Sequence, residues 1–388
     1  MLRIAIVTHN VRTGDGQGRV NYELARYLLS KGFRVEIFAD RVSDDLIDAG
    51  ARWTPVKPGF QRVDLLKVWR FRRLADRLLR SRIGEFDAIV ACGVVLGLPH
   101  HLNVAHFVHG TWLNSPYHAA KVRRGADAAY QWAFSRINAT WEKEVFSRAR
   151  KVGAVSQMVR EELVQIGVPP EKIHVLGNGV DTEEFAPRTP GQPGHISRRD
   201  LNLPESVPLA LFVGDIQSPI KNLDAVLEAM ARVPSMHLAV AGRVGSSPYP
   251  AMAERLGVGD RVHFLDFRTD IADLMRAADF FVLVSRRDSC PLVLLEAVSS
   301  GLPVVTAKTV GNSDLVEGKC GFVIESPDDI DGLVAALETL ANNPVERAQL
   351  STAARAVGLE NTWDRMSEKY AEVLGLGVTA RRSDTVSA

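Results

Sequence analysis

Two acidic residues, Asp288 and Glu296, lie eight positions apart in the stretch VSRRDSCPLVLLEAVSSGLPVV. The pattern predicts a strand that ends shortly before Asp288 and a helix that begins near Leu292, so both acids lie at the carboxyl end of that strand. Carboxylates accept hydrogen bonds from sugar hydroxyls, and free amides at Pro291, Leu292 and Val293 can hold phosphate oxygens. We therefore expect this loop to bind the ribose and diphosphate of a nucleotide. A solvated acid and a helix-capping acid are the alternatives.

Two basic residues follow predicted strands of the same half of the chain. Lys221 stands at the opening of a helix after LALFVG (209–214), where its ammonium group and the helix dipole would act together on a diphosphate. Arg243 follows HLAVAG (237–242) at a glycine-rich turn and can be interpreted in the same way. An ordinary surface lysine is the alternative for Lys221.

Three glycines, Gly14, Gly16 and Gly18, follow the first predicted strand and open a helix. Backbone amides at such a turn can approach an anion closely, and the helix N-terminus favours negative charge, so Gly16 and Gly18 are candidate donor-binding positions. The spacing is G-x-G-x-G and not the G-x-G-x-x-G of dinucleotide binders, which disfavours a nicotinamide cofactor. Tight-turn geometry is the alternative explanation.

His109 is predicted to end a strand in the segment NVAHFVHG (103–110), from which its imidazole would reach a cleft. A core histidine bonded to the backbone is the alternative. We expect no metal, because the one D-x-D sequence, Asp329 to Asp331, lies at a predicted helix start far from the other candidates. The three cysteines are widely spaced and support neither a disulfide framework nor a zinc site.

Short β-branched runs alternate with amphipathic segments along the chain, which predicts an α/β fold with two doubly wound parallel sheets facing each other across a cleft. We predict a first domain over 1–187, a linker over 188–200 and a second domain over 201–362. A C-terminal helix over 363–375 is expected to cross back to the first domain, and 376–388 to be a disordered tail. The predicted strands are 3–8, 34–39, 87–91, 103–110, 151–156, 209–214, 237–242, 261–266, 279–285 and 303–307.

The charge is divided unevenly between the halves. Residues 1–187 hold 27 Lys+Arg against 20 Asp+Glu, a net charge of +7, and the remainder holds 20 against 26, a net charge of −6. The basic segments 67–82 and 121–124 could meet an anionic membrane surface or a phosphorylated acceptor, whereas nucleic acid is not indicated. The alternative is that the basic residues form a solvated helix face. The opposite face would then point inward with Trp69, Phe71, Leu74, Leu78 and Leu79. The first apolar run is too short for a signal peptide, so a cytoplasmic location is expected.

Several motifs in order resemble the retaining, nucleotide-sugar-dependent glycosyltransferases of family 4, which have the GT-B fold. The motifs are GDGQGRVNYELARYLLSKGFRVEIFA, FVHG, KVGAVSQMVREEL, HVLGNGVDTEEFAP, LFVGDIQSPIKNLDAVLEAM, and RVHFLDF followed by ADFFVLVSRRDSCPLVLLEAVSSGLPVVTAKTVGNSDLV. The resemblance implies a nucleoside-diphosphate sugar as donor, a glycan or glycolipid acceptor and no cofactor. The second half is similar to bacterial enzymes that glycosylate lipopolysaccharide core or surface glycans.

The resemblance also implies roles for single residues. The paired acids match the family's E-x7-E motif, with Glu296 on the ribose and Asp288 on the transferred sugar. The backbone amides of Leu292 and Val293 would contact phosphate and ribose. The remaining matches are the backbone of Leu265 at the base, Gly16 near the diphosphate, His109 near the transferred sugar and Lys221 at the leaving diphosphate.

This sequence departs from the family's pattern at two positions. Asp288 replaces a glutamate and is one methylene shorter, which could shift the sugar selectivity. Asp215 stands where the family has an arginine six residues before Lys221, and Arg243 is our candidate for restoring the lost cation. Two other functions remain open: a nucleotide-sugar epimerase or hydrolase on the same fold, and a non-catalytic scaffold that binds nucleotide sugars.

Overall fold

Two separate parallel β-sheets organise the computed structural model, one from each half of the chain. The structure describes residues 1–60, 63–122, 124–187 and 197–377. Alternate residues of the first strand enter different hydrophobic clusters, Ile4 and Ile6 on one face and Ala5 and Val7 on the other. Both faces of the sheet are therefore buried, which explains why its central strands are continuous apolar runs.

The first sheet has seven strands in the order β5-β3-β1-β6-β7-β8-β9, and β2 and β4 form a separate two-stranded pair. The strand β1 is central, with Ile6 beside Ile37 on one side and Val90 on the other. The strands are β1 (Arg3–Val7), β2 (Asn10–Val11), β3 (Arg34–Ala39), β4 (Arg41–Val42), β5 (Arg52–Pro55), β6 (Ala88–Cys92), β7 (His100–Ala105), β8 (Ala149–Ala154) and β9 (Ile173–Val175).

The second sheet has six strands in the order β12-β11-β10-β13-β14-β15, all parallel. The reversal of strand order at β10 puts the loops after β10 and β13 side by side, the usual ligand position in an open α/β sheet. The strands are β10 (Leu209–Val213), β11 (His237–Ala241), β12 (Val262–Phe264), β13 (Phe280–Leu283), β14 (Val304–Ala307) and β15 (Gly321–Ile324).

Helices connect the strands in both halves. They are α1 (Gly16–Ser30), α2 (Asp44–Asp48), α3 (Asp64–Leu79), α4 (His109–Trp112), α5 (Ala119–Val122), α6 (Gly125–Arg148), α7 (Gln157–Gln165), α8 (Leu223–Arg232), α9 (Tyr249–Arg255), α10 (Ile271–Ala277), α11 (Leu292–Ser299), α12 (Ile330–Asn342), α13 (Pro344–Glu360) and α14 (Trp363–Leu374). Short 3-10 turns occupy Ile83–Glu85, Pro170–Lys172, Pro219–Lys221, Gly259–Arg261 and Ser313–Leu315. Within the described ranges, no helix combines the length and apolar character needed to cross a bilayer.

The last helix, α14, packs against α1 in the first half of the chain. Its residues Trp363, Met366 and Tyr370 are buried in the hydrophobic cluster of the first sheet, and the Arg19 guanidinium lies 5.6 Å from the Trp363 ring centroid. The domain boundaries drawn from the sequence stay a prediction. Of the predicted linker, residues 188–196 lie outside the described part of the chain, as do 378–388 of the predicted tail.

Two sequence predictions in the first half need correction. The strand expected over 103–110 is His100–Ala105, so His109 does not end a strand but begins α4. The predicted inward face of α3 is right for Phe71 and Leu79, which are buried, but wrong for Trp69, which is 43% exposed. The prediction is also wrong for Leu78, which is 36% exposed.

Candidate functional site

A cavity of about 710 Å³ lies between the two halves, at the carboxyl ends of both sheets. The first half contributes Gly16 and the side chains of Phe107 and Trp112 to its wall. The second half contributes Lys221 and the whole segment from residue 287 to 293, together with Glu296. The structure therefore brings six of the sequence-predicted positions from the second half to one wall: Lys221, Asp288, Pro291, Leu292, Val293 and Glu296.

The loop that carries Asp288 is fixed by backbone contacts with the loop after β14. The Asp288 amide donates to the Thr309 carbonyl over 3.1 Å, and the Gly311 amide donates to the Asp288 carbonyl over 2.8 Å. A Cβ atom on Gly311 would lie 1.7 Å from the Ser289 carbonyl oxygen, so only glycine permits this approach. The rigid loop presents the Asp288 carboxylate to the cavity, where it accepts a hydrogen bond from the Lys221 ammonium group.

The N-terminus of α11 faces the same cavity. The helix begins at Leu292, and the first amides of any helix lack an intrahelical acceptor, so those of Leu292 and Val293 are free for a phosphate oxygen. Pro291 precedes them and lines the cavity, but proline has no backbone N–H. The expectation of a donated hydrogen bond at Pro291 is therefore wrong.

The Glu296 carboxyl group lies one turn into α11, in the cavity wall. Burial raises its pKa to about 7, with a further rise from the Glu184 charge and an opposing effect of Arg19. A carboxyl group with this pKa is only partly ionised near neutral pH. Hydrogen-bond donors that approach it, such as a pair of hydroxyl groups, would favour the ionised form.

The glycine-rich turn is organised by Asp15, which caps α1 by accepting a hydrogen bond from the Gly18 amide. A Cβ atom on Gly18 would lie 2.6 Å from that carboxylate. Gly18 thus has a role in the helix cap and is not in the cavity lining, whereas Gly16 is.

His109 lies beside the cavity wall and is not among the residues that line it. Its ring contacts Phe107, with 4.9 Å between the centroids, and burial lowers its pKa to about 4, helped by the Arg287 and His118 charges. The imidazole is therefore neutral at physiological pH. The amides of His109 and Gly110 both donate to the Glu142 carboxylate, over 2.8 and 3.1 Å, which fixes the position of this turn.

Arg243 lines a smaller, adjoining cavity of about 400 Å³. This cavity shares Gly214 with the first and also contains Asp215, so Arg243 faces the same space as the position that lacks the family's arginine. The Arg243 guanidinium lies 5.6 Å from the Phe267 ring centroid. Leu265 lines neither cavity, and its amide donates to the Val240 carbonyl over 2.9 Å in the continuation of the sheet.

Sequence analysis missed functional candidates in the part of the cavity wall that the first half of the chain contributes. His106, Phe107 and Trp112 line it, and Arg287 enters it from the second half. Phe107 and His106 lie in the apolar segment before His109, where nothing in the pattern separates cavity residues from core residues. The two adjacent arginines directly before Asp288 are the signal that could have identified Arg287.

Comparison with known proteins identifies both halves of the chain. Residues 14–184 match Glycosyltransferase Family 4, and residues 195–357 match Glycosyl transferases group 1. A relative from Thermomonospora curvata, described as a D-inositol 3-phosphate glycosyltransferase, is 30% identical over 403 aligned positions that cover 92% of this chain and 91% of the relative. A protein of the same description from Mycobacterium marinum is 28% identical, and the alignment covers 95% of this chain and 84% of that protein.

Solved structures share the fold at lower sequence identity. WaaG, a glycosyltransferase involved in lipopolysaccharide biosynthesis, is 21% identical with a TM-score of 0.72 over 96% of this chain and 100% of its own. Sucrose-phosphate synthase from Thermosynechococcus elongatus is 17% identical, with a TM-score of 0.75 over 96% of this chain and 98% of the synthase. Anabaena HepE, solved with UDP and glucose, is 21% identical, with a TM-score of 0.67 over 97% of this chain and 100% of HepE. With both halves matched and a relative 30% identical across nearly its whole length, this chain belongs to the glycosyltransferases of family 4 and group 1, and it has the GT-B fold.

Proposed function

We propose that this glycosyltransferase moves a sugar from a nucleoside-diphosphate sugar to an acceptor hydroxyl group, with retention of configuration and without a metal ion. The observation that carries the proposal is the single cavity wall on which a lysine, two carboxyl groups and a helix N-terminus converge. The helix N-terminus and Lys221 suit a diphosphate, and the two carboxyl groups suit ribose and sugar hydroxyls.

The proposed roles follow from the contacts in the cavity. The Leu292 and Val293 amides hold the diphosphate, and Glu296 accepts hydrogen bonds from the ribose. Without a donor, the charges of Lys221 and Asp288 compensate each other. A bound donor would draw the Lys221 ammonium toward the diphosphate, where it stabilises the leaving group, and free the Asp288 carboxylate for a sugar hydroxyl.

Retention rests on the resemblance to family 4, with attack on the same face as the departing diphosphate, whose oxygen takes the acceptor's proton. A covalent cysteine intermediate is disfavoured, because burial and the Asp288 charge raise the pKa of the Cys290 thiol in the cavity wall. The Lys221 charge and the helix dipole provide positive potential at the diphosphate without a metal.

The outer face of α3 supports an acceptor at a membrane surface. Val63, Leu66 and Trp69 are each 43% exposed, and the Arg73 guanidinium lies 5.3 Å from the Trp69 ring centroid. Exposed aliphatic and aromatic side chains beside basic ones suit the headgroup region of an anionic bilayer. We propose that the protein works in the cytoplasm at the inner face of the membrane, in the synthesis of a surface polysaccharide, lipopolysaccharide or glycolipid.

The first test is donor binding, measured as a thermal shift with a panel of nucleotide sugars. UDP-glucose is the first nucleotide sugar to test, since the structure of HepE has been solved with it. A ligand at 100 times its Kd adds about 2.7 kcal/mol of stability. No shift with any nucleotide sugar would refute the proposal.

The second test is turnover of the donor that binds. D-inositol 3-phosphate, named by the relatives, and a glycolipid serve as acceptors, and NMR of the product reports the anomeric configuration. Transfer with retention that persists in EDTA is the expected result. Free sugar released without acceptor would identify a hydrolase, an epimer an epimerase, and donor binding without turnover a binding scaffold.

A further inference from the structure

An arginine next to Asp288 connects the two halves of the protein. Arg287 forms a bidentate ion pair with Glu162 of α7, in which Nη2 donates to Oε2 over 2.8 Å and Nη1 donates to Oε1. The two side chains are only 11% and 10% exposed. The guanidinium also lies 4.7 Å from the ring centroid of Phe107 and 5.5 Å from that of Trp112, so an aromatic pair from the first half encloses it.

The ion pair is adjacent to the proposed catalytic groups on both sides. In the second half, Arg287 directly precedes Asp288 in the rigid loop. In the first half, Glu162 lies near Glu142. Burial is the main cause that raises the pKa of Glu142 to about 7; the Glu162 charge adds to this rise, and the Arg287 charge opposes it. Because Glu142 holds the His109 turn, the charges of Arg287 and Glu162 act on the group that fixes His109.

Other contacts also join the two halves near this loop: Asn178 Nδ2 of the first half donates to the Cys290 carbonyl of the second over 3.0 Å, and both residues line the cavity. Tyr117 of the first half donates to Asp328 of the second over 2.6 Å, and the Arg286 guanidinium lies 5.7 Å from the Tyr117 ring. Arg286 itself is paired with Asp224 within the second half. Arg287 therefore differs from its neighbour, since its charge is matched by the opposite half of the protein.

We propose that Arg287 is a positioning residue, which sets the separation of Asp288 from His109 by pairing with Glu162 when the two halves close on the donor. The proposal rests on the proposed function, because it assumes that both residues act on the transferred sugar. A bidentate guanidinium–carboxylate pair suits this task, since it fixes both distance and angle. Misplacement of reacting groups by about 1 Å can lower a rate by about 100-fold.

The experiment separates positioning from stability by a double-mutant design. Arg287→Met and Glu162→Met each leave one buried charge unpaired, whereas the double variant replaces the pair with apolar side chains. We expect the melting temperature to fall in each single variant and to recover in the double one. The kcat for transfer from UDP-glucose to D-inositol 3-phosphate should be about 100-fold lower in all three, with the Kd for UDP-glucose within about threefold of the wild type.

A matched control is Arg82→Met, which removes another bidentate pair, formed with Glu36 inside the first half over 2.8 and 2.9 Å. This variant should lose stability but keep the kcat. Small-angle X-ray scattering of the ligand-free protein gives a readout independent of activity: a larger radius of gyration for Arg287→Met, and an unchanged one for Arg82→Met.

A double variant with wild-type kcat, or an unchanged radius of gyration for Arg287→Met, would overturn the proposal. Failure of UDP-glucose to bind the wild type would count against the proposed donor and leave the scattering result to decide on Arg287.

Discussion

The Glu296 carboxyl group should make donor binding depend on pH. Burial raises its pKa to about 7 in the ligand-free protein, whereas the ribose hydroxyls need the ionised form as their acceptor. The ionised fraction falls from about 0.9 at pH 8 to about 0.1 at pH 6, and the apparent Kd rises as the competent fraction falls. We therefore expect the Kd for UDP-glucose to be about tenfold higher at pH 6 than at pH 8, a difference of about 1.4 kcal/mol.

Isothermal titration calorimetry with UDP-glucose between pH 6 and pH 8 measures this dependence. UDP-glucose is a better probe than UDP, because each of its phosphates has one ester bond and one anhydride bond and therefore does not titrate in this range, whereas the terminal phosphate of UDP does. Glu296→Gln removes the charge, and a hydrogen bond to a charged group contributes about 1.5–3 kcal/mol. This variant should bind about 10- to 100-fold more weakly at pH 8, with a Kd that no longer depends on pH.

Glu142→Gln is the matched control, because the pKa of Glu142 is also raised to about 7 but this side chain does not line the donor cavity. The control should keep the pH dependence of the wild type. A wild-type Kd that is constant from pH 6 to pH 8, or a pH dependence that survives Glu296→Gln, would refute the assignment of Glu296 to the ribose.

Further predictions concern leaving-group stabilisation, packing, protonation and the membrane. Lys221→Met should lower kcat in a UDP-release assay by about 100-fold, with the Kd for UDP-glucose less affected, because the lost charge acts mainly on the developing diphosphate; an unchanged kcat would exclude this role. Gly311→Ala should lower the free energy of unfolding in urea by about 1–3 kcal/mol, because the new methyl group meets the neighbouring backbone, and equal stability would contradict that contact. Glu142 binds a proton more tightly when folded, so this residue's contribution to stability should be lost as the pH rises from about 4.5 to 7, and Glu142→Gln should remove the effect in urea titrations at each pH. Trp69→Glu should weaken co-sedimentation with vesicles containing phosphatidylglycerol, and undiminished binding would exclude α3 as the contact.

The central strands of both sheets could be predicted from sequence because their physical environment leaves a local pattern. Strands β1 and β10 are buried on both faces, which requires a continuous apolar run, and the runs of the sequence match Arg3–Val7 and Leu209–Val213. The edge strand β5 was not predicted, since Arg52–Pro55 is partly exposed along its length and ends in proline. Its position depends on pairing with β3, which the local sequence does not specify.

The second half of the candidate site was also predictable, because its residues are close in sequence. Asp288, Leu292, Val293 and Glu296 belong to one loop and one helix, so their spacing defines their geometry. The position of His109 was not predictable in this way. Its turn is held by Glu142, 33 residues further along the chain, and lies beyond the end of β7 at Ala105, where a helix begins.

The charge balance of the cavity bears on the proposed donor site, which lacks the family's arginine at position 215. Lys221 is matched by Asp288, and Arg287 is matched by Glu162, so neither cation is in excess before the donor binds. In the proposed donor complex, the diphosphate would take Lys221 from Asp288, and the released carboxylate would need a new hydrogen-bond donor, which a sugar hydroxyl can provide. Binding of the diphosphate and binding of the sugar would thereby be coupled through the Lys221–Asp288 ion pair.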